Sequence, residues 1–302
     1  MTRKQAIVKW GSRALTLVAI GFMVFGITQY EFDFSMLTSP FIVAGLLLLT
    51  VVLGLGVYLF SFNFHWLTQK LSGAKIDRNL TIKVYCATNM YKYLPVNVMQ
   101  YIGRGQIALE SDGVKQTHVA LATLLENIFR GLAAVLIAAF LGINLIHYVQ
   151  ITLPGWTIWA SFAISAVILI AVMIFFRRRV NVRAMAILLG NSVLRAISIS
   201  ATFMLTLLML GQNFTFTLSI QIMSLYALAW LVGILIVIVP GGIGVREGAL
   251  VLLMGGLISE PILATGIVVH RLLYTIGDVI AWIISLRYKN TSQINTNTNR
   301  EA

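Results

Sequence analysis

The stretch Phe41-Ile-Val-Ala-Gly-Leu-Leu-Leu-Leu-Thr-Val-Val-Leu-Gly-Leu-Gly-Val-Tyr-Leu-Phe60 contains no charged side chain. As a helix rising about 1.5 Å per residue it would be about 30 Å long, the thickness of a bilayer's hydrocarbon core. Working outward, six further apolar runs occupy residues 14–29, 118–141, 156–176, 184–210, 220–239 and 262–286. Leu, Ile, Val and Ala dominate each run, whereas a spanning β-barrel would show shorter alternating segments. The whole chain agrees: of 302 residues 59% are hydrophobic and 11% charged, and its mean hydropathy is +0.89. A soluble protein has about 25% charged residues. The composition therefore excludes a water-soluble enzyme, a disordered chain and a disulfide-stapled module. The expected architecture is an all-α polytopic membrane protein with about seven to eight transmembrane helices. It forms one transmembrane domain over residues 1–286, followed by a polar cytoplasmic tail over 287–302.

The net charge of +12 reports topology rather than nucleic-acid binding. Fifteen of the 22 Lys and Arg fall in four clusters: residues 3–13, 70–83, 177–183 and 287–300. The loop after the first run carries Glu31 and Asp33, and residues 142–154 and 211–219 have no Lys or Arg. Alternation of this kind follows the positive-inside rule and places both termini in the cytoplasm. The basic start and apolar run 14–29 resemble a signal peptide. Gln29-Tyr-Glu-Phe-Asp33 offers no small-residue cleavage site, so the run is read as a retained first span. Trp66, Trp156, Trp159 and Trp282 lie near run ends, as interfacial anchors do. A single cysteine, Cys86, forms no intramolecular disulfide, and the four histidines lack metal-ligand spacing. No cofactor or metal is expected.

Two stretches break the pattern. Residues 80–105 are interrupted by Lys92, Pro95, Asn97, Gln100 and Arg104, and residues 239–256 by Pro240-Gly-Gly-Ile-Gly244. Each is either a broken or re-entrant helix, allowed at membrane depth where protein or a wet cavity covers the backbone, or a plain interfacial helix or turn. The two stretches are alike. Each has Pro, a small or flexible run and then Arg (Pro95 to Arg104, Pro240 to Arg246), followed by a long helix with polar groups. Asn127 stands about as far beyond Pro95 as Arg271 beyond Pro240. An internal duplication accounts for this, with chance similarity as its rival.

Arg130, Arg195 and Arg271 fall well inside apolar runs. A charge at a helix centre costs about 2.5–3.5 kcal/mol on insertion scales, which makes each a functional candidate. Glu126 and Arg130 stand at i,i+4 and pair on one face; Arg271 and Asp278, seven apart, also share a face. The plain alternative is structural neutralisation between helices. Arg195 has no local acid and needs a partner on another helix, a bound anion, or a path to the interface. Around Pro240, glycines leave backbone N–H groups approachable, a setting for a phosphate. Arg246 adds a bidentate donor to it, and Glu247 is placed to pair with Arg271 or Arg195.

Pro240-Gly-Gly-Ile-Gly-Val-Arg-Glu-Gly-Ala249 resembles the P-G-G-[LI]-G-x-R-E signature of the lysylphosphatidylglycerol synthase transmembrane region, a flippase-like family of bacterial and archaeal membranes. The resemblance extends to Tyr93-Leu-Pro95 through Arg104, to Ala122-Thr-Leu-Leu-Glu126, and to His270-Arg271 with Asp278. Asn97 or Val98 stands where the family has Gly, and Asn127 where it has Arg after Glu126. The resemblance implies a lipid flippase or lipid-binding protein for an amphiphile with a phosphate headgroup, in a plasma membrane. Gly241, Gly242, Gly244, Arg246, Glu247 and Arg271 would then form the headgroup site. Pro95, Asn97, Arg104, Glu126 and Arg130 would form a second half-site, with Arg195 and Asp278 as further intramembrane charges. In the best understood relatives this module is fused to a soluble aminoacyl-transferase domain. No such domain is expected here, and therefore no enzyme that aminoacylates lipid. No G-x-x-x-x-G-K-[ST] motif points to ATP use. The expected partners are membrane lipids and an envelope glycosyltransferase or lipid-modifying enzyme, not nucleic acid. The rivals are a non-catalytic subunit of such a transferase and a membrane-embedded headgroup enzyme. The scatter of Glu126, Glu247 and Asp278, each with a basic neighbour, argues against the second of these.

Overall fold

The computed structural model describes residues 39–93, 99–142, 156–176, 180–235 and 244–288, and among these the regular elements are all helices. In chain order they are α1 (Pro40–Ser72), α2 (Arg78–Asn89) with a 3₁₀ turn (Met90–Tyr93), α3 (Met99–Arg104), α4 (Gln106–Glu110), α5 (Gln116–Gly142), α6 (Trp156–Phe176), α7 (Val182–Met209), α8 (Phe216–Leu235), α9 (Val245–Met254) and α10 (Glu260–Ser285). By length and composition five of them, α1, α5, α7, α8 and α10, are able to cross a membrane, while α6 contributes a shorter apolar stretch, Ala163–Phe176. The expected count of seven to eight spans is thus not reached among the described residues; run 14–29 lies outside them.

Local chemistry sets the helix ends. Asp77 accepts the Asn79 N–H at 2.9 Å to cap α2, and Asn181 accepts the Ala184 N–H at 3.0 Å to cap α7. Each satisfies one of the donors that a helix start leaves without a partner. α1 stops at Gly73, whose φ of 70° is open to glycine. The two irregular stretches become short helices: α2 has 12 residues and α9 has 10, about 18 and 15 Å long, too short to span. Thr81, Ile82, Tyr85 and Cys86 are fully buried, so α2 is covered by protein. Residues 94–98 and 236–243, including Pro95, Asn97, Pro240, Gly241 and Gly242, lie outside the described residues.

α1 packs most extensively against α10, and α5 against α8. The α1–α10 crossing brings glycines together: a Cβ on Gly54 would lie 2.7 Å from the Gly277 carbonyl oxygen. Small residues at such crossings let backbones approach where no hydrophobic drive separates protein from lipid. Besides a small apolar cluster at Met90, Tyr91 and Tyr93, the described residues form two large ones. One cluster joins the C-terminal half of α1 to α2, α4, α5, α6 and the start of α7. The other joins the N-terminal half of α1 to the second half of α7, α8, α9 and α10. On the outside, Leu47, Leu48, Leu55 and Leu59 of α1, Phe175 of α6 and Leu252 of α9 are exposed, a surface suited to lipid rather than water.

Candidate functional site

Between the two apolar clusters runs a seam of polar and charged side chains. Its first network centres on Glu126 of α5. Glu126 Oε2 accepts from Arg104 Nη1 at 2.6 Å, and Oε1 accepts from Arg130 Nη2 at 2.5 Å and from the Tyr85 hydroxyl. Arg130 Nη2 also donates to Tyr85 Oη at 2.6 Å. Arg104 is fully buried, its guanidinium 4.3 Å from the ring centre of Tyr85 and 4.7 Å from that of Phe64. Aromatic faces thus stabilise a cation that has left water. Two arginines on one carboxylate leave this network with a formal charge of +1.

The second network joins α9 and α10. Glu247 Oε1 lies 3.2 Å from Arg271 Nη1 and 3.7 Å from Arg246 Nη2, and Oε2 accepts the Gly244 N–H at 2.7 Å. Of the two partners expected for Glu247, Arg271 or Arg195, it is Arg271 that pairs with it. The one described N–H of the glycine segment, that of Gly244, is already taken by the helix's own Glu247. Arg246 lies over Tyr226 and Tyr274, at 5.6 and 5.8 Å. Again two arginines share one carboxylate.

The third network was not foreseen. Asp278 pairs with Lys92 Nζ at 2.6 Å and accepts from Asn89 Nδ2 at 2.7 Å and Tyr93 Oη at 2.6 Å. Lys92 also sits over the Tyr274 ring at 4.3 Å. Shared helix face had linked Asp278 to Arg271; packing of the 3₁₀ turn onto α10 gives Asp278 a lysine instead. The tyrosines were missed for the same reason. Yet Tyr85, Asn89 and Tyr93 recur every four residues across α2 and the 3₁₀ turn, a spacing visible in the sequence. His270 is buried beside Thr202 and Tyr226, at 3.1 and 3.3 Å.

Arg195, near the middle of α7, has neither an acidic partner nor a hydrogen bond among the described residues. Its guanidinium lies 5.2 Å from the Phe60 ring centre, over the place where a Cβ on Gly56 would stand. With Arg130 it lines a small cavity between α1, α2, α5, α7, α8 and α10, in which water centres have about 30 Å³ of space. Among the described residues the seam holds six cations (Lys92, Arg104, Arg130, Arg195, Arg246 and Arg271) and three carboxylates (Glu126, Glu247 and Asp278). Of the expected site residues, Arg104, Glu126 and Arg130 come together, as do Gly244, Arg246, Glu247 and Arg271. Comparison with protein-family models, with curated proteins and with solved structures finds no match to this chain.

Proposed function

We propose that the protein is a multi-pass plasma-membrane protein that binds an amphiphile with an anionic, phosphate-type headgroup and carries it between leaflets. The observation that supports this is the imbalance of six cations against three carboxylates in the seam. Uncompensated charge is costly away from water, and an incoming anion would relieve it. A flippase suits such a seam, because the headgroup needs a polar route while acyl chains stay in lipid. The resemblance of residues 240–249 to the flippase-like signature points the same way. In this reading the chain has seven to eight spans with both termini cytoplasmic, and its two broken segments enter the membrane. The two Arg₂Glu networks, each drawing an arginine from a short helix, fit an internal duplication, although the carboxylate comes from the long helix in one and the short helix in the other. Gly241, Gly242, Arg246 and Arg271 would meet the headgroup in one half, and Pro95, Asn97, Arg104 and Arg130 in the other.

The test is a proteoliposome assay in which a fluorescent anionic phospholipid becomes accessible to a membrane-impermeant quencher. The expected result is that wild type accelerates exposure of inner-leaflet lipid, and that Arg246→Ala and Arg271→Ala abolish the acceleration while still reconstituting. No acceleration from well-folded protein with any anionic headgroup would refute translocation and favour a partner subunit of an envelope transferase.

A further inference from the structure

The cavity beside Arg195 differs from the three networks in one respect: among the described residues, no carboxylate lines it. What lines it is rich in donors. The Tyr85 hydroxyl is spent on Glu126, the Asn89 amide donates to Asp278, and the Ser192 hydroxyl donates to the Leu188 carbonyl at 2.8 Å. Others are not spent. Arg130 Nε is buried without an acceptor, and the Arg195 guanidinium, the Tyr274 hydroxyl and the Trp230 indole N–H have none among the described residues. A pocket of unsatisfied donors, two of them on cations, with no acceptor charge of its own is complementary to an anion.

Its depth is distinctive as well. Arg130, Arg195 and Tyr274 each fall near the middle of a helix long enough to span. The cavity therefore sits at mid-depth of the bundle, where the two apolar clusters part and where an anion has no other source of compensation. Gly56 is part of the construction, since any side chain there would displace the Arg195 guanidinium. The space of about 30 Å³ holds about two waters, so it has room for the unesterified edge of a phosphate rather than for the whole group.

We propose that this cavity is an oxyanion site for the phosphate group, with Arg195 as the resident cation and Arg130, Tyr274 and Trp230 as its companion donors. The proposal rests on the anionic-amphiphile reading above and places the midpoint of the headgroup's route. It shifts the weight from the Arg246–Glu247 network, whose charges already have partners, to a residue whose charge has none among the described residues.

The test is calorimetric titration of the purified full chain in a neutral detergent. One arm uses short-chain phosphatidylglycerol below its micelle concentration, the other inorganic phosphate, with Trp230 fluorescence followed in parallel. Wild type is expected to bind with a change in emission that Trp230→Phe removes. Arg195→Gln is expected to weaken binding about tenfold or more, as loss of a charge-assisted bond does. Arg195→Lys is expected to bind more weakly than wild type but more tightly than Arg195→Gln, because it keeps the charge and loses the planar fork that stacks on Phe60. Gly56→Ala, which keeps every charge but crowds the guanidinium, weakens binding too. Phosphate binding alone, lost in Arg195→Gln, supports the site and removes the lipid from the account. Lipid binding that is untouched in folded Arg195→Gln and Gly56→Ala but lost in Arg246→Ala overturns the site and leaves the amphiphile reading standing. Absence of heat with both probes overturns the site as well.

Discussion

Glu126 shows what a single side chain does in this interior. It holds Arg104 and Arg130 at 2.6 and 2.5 Å, and removing its charge leaves two guanidinium groups facing each other away from water. Breaking a buried ion pair by deleting one partner costs about 3–5 kcal/mol. Glu126→Gln is therefore expected to lower the unfolding temperature in detergent sharply; an unfolding curve that overlays wild type would show that the pair is solvated and contributes little. The pair was legible in the sequence because spacing of four residues puts both side chains on one helical face. Lys92 with Asp278 was not, since they meet only through the packing of α2 and the 3₁₀ turn against α10. Local spacing cannot see that contact, and it offered Arg271 as the neighbour instead. Arg195 was legible as a problem, a cation without a local acid, but the cavity beside it exists only once five other helices are in place.

At the scale of elements, glycine position decides how closely helices approach. Gly54 on α1 and Gly277 on α10 meet backbone to backbone, and a Cβ on Gly277 would lie 3.0 Å from the Gly54 nitrogen and 3.1 Å from the Thr50 carbonyl oxygen. Neither atom belongs to a flexible side chain, so the helices must part. Gly277→Ala is expected to destabilise by about 1–3 kcal/mol, as overpacking does. Gly190 of α7 has open space where a Cβ would be, and Gly190→Ala should stabilise by about 0.5–1 kcal/mol through helix propensity. Thermal melts of the two variants in the same detergent check the contrast, and equal shifts would contradict the close α1–α10 crossing. The long apolar helices were plain in the sequence because their runs are long and uncharged. The breaks at α2 and α9 were visible as Pro, Gly and charge, but what they become was not, because α2 is covered by α1 and α10, and α9 by α8 and α10.

At the scale of the molecule, the described residues form two large apolar clusters and a small third, with a seam of more cations than anions between the two large ones. Were the seam only structural glue, matched pairs would suffice, and Arg195 would be a costly exception. If it is a binding surface, the cost of Arg195 is stability given up for function, as at other sites built to receive a charged ligand. The measurement that separates these is the unfolding temperature of Arg195→Met, with and without anionic phospholipid. The account predicts that, without lipid, the variant melts above wild type, since an unpaired charge has been replaced by an apolar side chain of similar length. It also predicts that added phosphatidylglycerol raises the melting temperature of wild type by clearly more than that of the variant. A variant that melts below wild type yet still responds fully to the lipid would contradict it.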